Sequence, residues 1–436
     1  MTEIFQIFFQ LFIFFLFTFF PINKYTFSKF PFVYINSNYN AFLINIILIL
    51  NIFLLLSFFK FDLNYIFIGL LFVNLSLLFF NFINITKDIF SKKNVHLKFA
   101  FIFICFCFFF KTAANLELGW DALSYWLSKT NNFYNNKSVF EMPHSASPQL
   151  GTYIWAFFWK NSFMQKEYLG RLFLDYLYII SIFVVADSLK KQSDFKKLIF
   201  IFCLVLFTFD YNNTLSGYQD YLLFILLVFC SKSLLELNLK SNSSQNLIVY
   251  SLLIMTTILL PWVKNEGIFY SIFIMIVYFF IDYQLLIKKF LFLFIVAANI
   301  LIRVFFVKVI LVTDNILQFS FTPEVLSINI FNIKELIFRL PYISFYLIRS
   351  MFQYPLILIN FISIIFSFRY FKYLNNNKIF YIFFFFNLFF IYGTYIVHTS
   401  PLVWQLQTSM SRLLLQTSGF YIFLVVDLIN KKIIKI

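Results

Sequence analysis

The sequence predicts an all-α polytopic integral membrane protein, a bundle of roughly 11–13 transmembrane helices, on three observations. Hydrophobic residues make up 61% of the 436 positions and mean hydropathy is +0.84, more apolar surface than one water-soluble core can hide. Apolar runs recur along the whole chain. Basic residues punctuate those runs at every second loop, the pattern of loops held in the cytoplasm.

Taken in order, the runs fall at 4–20, 41–59, 65–83, 99–114, 168–188, 198–209, 221–235, 247–263, 268–281, 290–307, 341–368, 379–397 and 420–429. Those at 198–209 and 268–281 are shorter than the ~20 residues of a perpendicular span, so they are expected to be flanked by snorkelling lysines or bounded elsewhere. Lys24 and Lys29, then Lys87 to Lys98, Lys190 to Lys197, Lys232 and Lys240, Lys288 and Lys289, Arg369 to Lys378, and Lys431 to Lys435 mark the cytoplasmic loops. The amino terminus is therefore expected outside and the carboxyl terminus inside. Glu3 stands where a signal peptide has a basic start, so the first run reads as a span. The expected organisation is N-terminal spans over 1–98, a transmembrane module over 99–430 with outer loops at 115–167 and 308–340, and a basic tail at 431–436.

Composition narrows the function. The net charge of +15 is spread between apolar runs, which argues for membrane topology and lipid surroundings rather than nucleic acid. Cys105, Cys107, Cys203 and Cys230 lie inside apolar runs, and His96, His144 and His398 are far apart, so neither disulfides nor a metal site is expected. With only 8 Gly and no Gly-rich loop, no cofactor or nucleotide site is expected.

The ionisable residues that do not mark topology gather on the outer side: Glu117, Asp121, Lys129, His144, Arg171, Asp220, Lys264, Glu266 and Arg412. Each costs at least ~2.5–3.5 kcal/mol at membrane depth unless it reaches water or a partner, so a one-sided set implies a hydrated cavity. Asp121 sits where a long apolar run meets the largest polar stretch. Two readings stand for it, a cap for the helix starting at Ala122 or a group that moves protons. Residues 148–159 read as a helix in the outer interface, its aromatics facing lipid or protein. Arg171 and Asp175 are one helical turn apart, so Arg171 either pairs with Asp175 or offers its fork to an anion. Lys264 and Glu266 are either an exposed turn or part of a site, Asp220 a helix-start acid or a site residue, and Arg412 an interfacial anchor or an anion-binding group.

The order of these features resembles the GT-C superfamily of membrane glycosyltransferases, in particular bacterial proteins similar to protein O-mannosyltransferases and to the aminoarabinose transferase acting on lipid A. The resemblance rests on Asp121 in the first large outer loop, on Ser147-Pro148-Gln149-Leu150, and on Glu167-Tyr168-Leu169-Gly170-Arg171-Leu172. Further on it rests on Gly217-Tyr218-Gln219-Asp220, Trp262-Val263-Lys264-Asn265-Glu266-Gly267 and the segment from Trp404 to Gln416. The chain departs from the pattern with one proline at Pro148-Gln149, with Gln405 after Trp404 where the pattern has His, and with an acidic site after the fourth run.

The resemblance implies a GT-C-like bundle and an inverting glycosyltransferase of hexosyltransferase type. Such an enzyme moves a sugar from a polyprenyl-phosphate carrier to a lipid, glycan or protein acceptor outside a bacterial inner membrane, the site facing the periplasm. In that reading Asp121 is the base, Arg171, Lys264 and Arg412 bind the donor phosphate, and Asp220, Glu266, His144 and Trp404 are further site candidates. The alternatives are a polymerase or ligase of lipid-linked glycans, which depends on arginines and a histidine, and a secondary transporter, which shows repeated halves and polar groups near the midplane.

The topology is tested by placing single cysteines at Lys264 and Lys190 in a background lacking the four native ones. An impermeant thiol reagent on intact cells is expected to label the first and spare the second, and the reverse pattern inverts the assignment.

Overall fold

The computed structural model describes residues 2–19, 38–89, 95–142, 148–189, 192–209, 216–239, 244–281, 285–307, 333–369, 378–397 and 401–431. His144, Ser147, His398 and residues 308–332 of the second expected outer loop lie outside them.

Among the described residues no strand occurs, and regular structure is helical. In order these helices are α1 (Thr2–Phe19), α2 (Asn38–Leu56), α3 (Leu63–Ile89) and α4 (Val95–Ala114). A π-helical turn, Ala122–Trp126, runs into α5 (Leu127–Tyr134), followed by α6 (Leu150–Lys160), α7 (Glu167–Asp187) and α8 (Asp194–Phe209). Then come α9 (Asp220–Leu239), α10 (Ser244–Val263), α11 (Glu266–Phe279) and α12 (Leu286–Phe305). The last four are α13 (Ile333–Gln353), α14 (Pro355–Arg369), α15 (Lys378–Val397) and α16 (Leu402–Asn430). Apolar runs that satisfy every backbone group internally are the form a lipid environment demands.

By length and composition, 5 of the described helices suffice to cross a membrane, drawn from α3, α4, α7, α15 and α16, and the bent pair α13–α14 brings the number to 6. This is fewer than the 11–13 spans expected. The difference comes from α1, α2, α10 and α11, which are apolar but shorter. Two expected spans are also redrawn. The run at 341–368 breaks into α13 and α14, inclined at 106°. Pro355 explains the break, since it disfavours helical geometry at Tyr354 and itself suits the first position of a new helix. The run at 420–429 is only the end of α16, 29 residues long and carrying the whole Trp404-to-Gln416 segment.

The core is built on α7 and α9. All of α7 is buried, and α9 is buried from Tyr221 through Cys230, packed between α7, α10 and α16. The outer helices turn large apolar groups outward, among them Phe79 and Phe80 on α3 and Phe385 and Phe389 on α15. A contiguous apolar exterior of this kind is what acyl chains cover.

The interfacial-helix expectation is corrected at α6. Every side chain from Leu150 to Phe158 is buried, against α2, α5 and α7, so its aromatics face protein. Phe158 stacks on Phe173 at 4.1 Å and meets Phe14 edge-on at 5.1 Å, joining α6 to α7 and α1. Phe158→Ala is expected to cost about 3–5 kcal/mol, read as a fall in the melting temperature of the purified protein; an unchanged melting temperature contradicts the packing described.

Candidate functional site

Asp121, Asp220, Lys264, Glu266 and Arg412, scattered through the sequence, form one charged cluster. The backbone explains how they meet. Gly217, at φ +84°, makes a left-handed turn that other residues adopt only with strain. The carbonyl of Ser216 in that turn accepts a hydrogen bond from the Gly119 amide at 2.9 Å, which fastens the start of α9 to the outer loop before Asp121. Asp220 is the first residue of α9, Lys264 lies in the turn between α10 and α11, Glu266 opens α11, and Arg412 and Gln416 are one turn apart on α16.

Asp220 is the centre. Its Oδ2 accepts from Arg412 Nε at 3.2 Å and Nη2 at 3.0 Å, while its Oδ1 accepts from Lys264 Nζ at 2.9 Å and from Gln416 Nε2. The Gln416 amide is oriented from behind by the Tyr270 hydroxyl, which donates to its Oε1 at 2.8 Å. Lys264 also lies 3.3 Å from Glu266 Oε1. Burial alone would lower the Lys264 pKa, but the Asp220 and Glu266 carboxylates outweigh it and hold the ammonium above the ordinary lysine range.

Arg412 uses its third direction on Asp121, donating from Nη1 to Oδ2 at 2.6 Å. Its guanidinium also lies 4.2 Å from the centre of the Tyr218 ring, a cation–π contact from the same turn that carries Gly217. The two carboxylates on Arg412 differ in access. The side chain of Asp220 is 1% exposed and that of Asp121 is 28% exposed. Asp121 has helical backbone angles, φ −63° and ψ −38°, and makes no side-chain cap bond, so the capping reading is replaced by the ion pair.

The other candidates sit as follows. Lys264 is buried, so the exposed-turn reading of Lys264 and Glu266 does not hold. Arg171 lies with Glu167, Nε to Oε1 at 2.9 Å, donates from Nη2 to the Leu116 carbonyl at 3.4 Å, and stands 6.0 Å from the Trp155 ring. Asp175, one turn on, accepts from Thr112 Oγ1 at 2.8 Å. Trp404 is 55% exposed, two helical turns before Arg412 on α16. His144 lies outside the described residues. Lys129 is fully buried, its ammonium pushed well below the ordinary lysine range by burial and then by Arg303.

Sequence reasoning missed Tyr218, Tyr270 and the role of Gln416. Gln416 carried a signal, its position one turn from Arg412 on the same face. It also read Arg412 and Lys264 as cations open to phosphate, whereas both already face carboxylates: three acids, Asp121, Asp220 and Glu266, meet two bases. Among the described residues no three His, Cys, Asp or Glu converge in a metal-ligand group. Comparison with protein-family models, curated proteins and solved structures finds no match.

Asp220→Asn removes the charge that Arg412 and Lys264 share inside the bundle and is expected to cost about 3–5 kcal/mol. Asp121→Asn, at the accessible end, is expected to cost much less. Thermal denaturation of the two purified variants compares them; equal losses contradict the division between a buried keystone and an accessible carboxylate.

Proposed function

We propose that this chain is a membrane glycosyltransferase of the GT-C kind, moving a sugar from a polyprenyl-phosphate carrier to a lipid, glycan or protein acceptor with inversion at the sugar carbon. The proposal places it in a bacterial inner membrane, amino terminus outside, carboxyl terminus inside and site toward the periplasm. One observation carries the reading. Asp121, Asp220, Lys264 and Arg412, each singled out from a separate short motif, come within hydrogen-bond distance of one another, Asp121 and Arg412 across 291 positions of sequence.

The geometry divides the labour. Asp220, enclosed by donors, positions Arg412 and Lys264. Asp121 is the accessible carboxylate and serves as base: it takes the proton of the acceptor hydroxyl as that oxygen bonds to the anomeric carbon and the carbon–oxygen bond to phosphate breaks. The phosphate leaves with the bonding electrons, and Arg412 with Lys264 stabilises its growing charge. Arg412 couples the two events. An arriving phosphate competes with Asp121 for Nη1, so donor binding frees Asp121 Oδ2 to receive a proton.

Transfer from a radiolabelled polyprenyl-phosphate hexose by protein in lipid nanodiscs tests the reading. Asp121→Asn is expected to lose at least ~10²-fold in kcat, with melting temperature near that of the parent. Arg412→Lys keeps a charge but loses the fork and is expected to raise donor KM about tenfold, the loss of one charge-assisted hydrogen bond. Near-normal turnover in Asp121→Asn removes the base assignment, and no transfer by the parent protein from any carrier-linked sugar removes the function.

A further inference from the structure

We propose that Gln149 and Gln219 form a subsite for the hydroxyl groups of a sugar, beside the charged cluster; the assignment rests on the glycosyl-transfer reading above. Gln149 is fully buried at the start of α6, with neither its amide oxygen nor its amide nitrogen bonded. Gln219, 1% exposed and adjacent to Asp220, has an unbonded amide oxygen, and its nitrogen makes only a long contact of 3.5 Å to the Gly217 carbonyl. The two residues share one place. A Cβ on residue 151 would stand 1.6 Å from Gln219 Oε1, so Gly151 gives up its side chain to seat that amide on the first turn of α6, two residues from Gln149.

A buried amide without partners costs about 1–3 kcal/mol, more than an apolar side chain of the same size at the same place. Further unbonded groups surround the same turn, Ser216 Oγ and Trp126 Nε1. Trp126 packs with Ala122 and Trp155, and both of these lie against Gly217, at 3.1 and 3.2 Å from where its Cβ would be.

The chemistry of this group selects its ligand. A phosphate calls for cations, which belong to the neighbouring cluster, and an alkyl chain leaves the amides unbonded. A neutral ring bearing hydroxyls, each able to donate and accept, matches amides that do both, and the indoles offer apolar faces to its carbon–hydrogen side. Both amides are closed from solvent, so a ring reaches them by displacing the turn at 216–219. Sugar hydroxyls and ordered water share this chemistry, and the experiment separates them.

Gln149→Met and Gln219→Met keep size while removing the amide. Saturation-transfer NMR of the detergent-solubilised protein with methyl hexosides and methyl pentosides reads binding, thermal denaturation reads folding, and transfer from polyprenyl-phosphate hexose is assayed in parallel. The parent is expected to saturate glycoside ring protons, and each variant to bind about tenfold more weakly with a melting temperature equal to or above the parent's. Undiminished glycoside binding in both variants, or none in the parent, assigns the amides to water and overturns the subsite; a lower melting temperature in the variants marks them as structural and does the same. Glycoside binding that the variants lose, without any transfer by the parent, keeps the subsite and overturns the glycosyl-transfer reading instead.

Discussion

The buried carboxylate of Asp220 is the constraint on which the outer half of this bundle depends. A charge with 1% exposure is tolerable only if donors replace water, and here Arg412, Lys264 and Gln416 do so from α16 and from the turn after α10. Apolar helix faces attract without direction, and in lipid they attract little, so packing alone sets the register of α9, α10 and α16 weakly. Asp220 sets it by geometry. Once Arg412 is held from one side, its remaining N–H and its flat face have fixed directions, and Asp121 and the Tyr218 ring occupy them.

The same arrangement changes what the cations mean. Arg412 and Lys264 do not wait as open positive charge; they sit in a network with more acid than base. An incoming anion has to exchange for an existing carboxylate, and only Asp121 is placed to yield, because Asp220 is enclosed. Affinity for an anion is thereby tied to release of a proton acceptor, which makes binding and readiness for chemistry one event.

Much of this was legible in the chain. Polar residues at the ends of apolar runs were recognisable because membrane depth penalises them, and Asp121, Asp220, Lys264, Glu266 and Arg412 were found in that way. Their pairing was not legible, since partners 291 positions apart leave no local trace. Asp121 looked like a cap because acids favour helix starts, but the helix begins before it. The Gln- and Ser-rich first half of α16 lowered the hydropathy that delimits spans, although Leu406, Met410 and Gln416 face inward and the helix is continuous. At α6 the aromatic spacing was read correctly as helical, while the burial on every side comes from α2, α5 and α7, which no single window contains.

The length of α16 fixes a depth. Its 29 residues extend about 43 Å, against a hydrocarbon slab of about 30 Å, and the stretch from Arg412 to Asn430 alone is about 27 Å. With Asn430 at one rim of that slab, the guanidinium lies at the opposite rim, where oil meets water. A molecule with a long greasy tail and an ionic head arrives there by drifting sideways within a single leaflet, a search in two dimensions, while a hydrophilic partner descends from above. The crossing of those two routes is a place that neither solvent alone supplies.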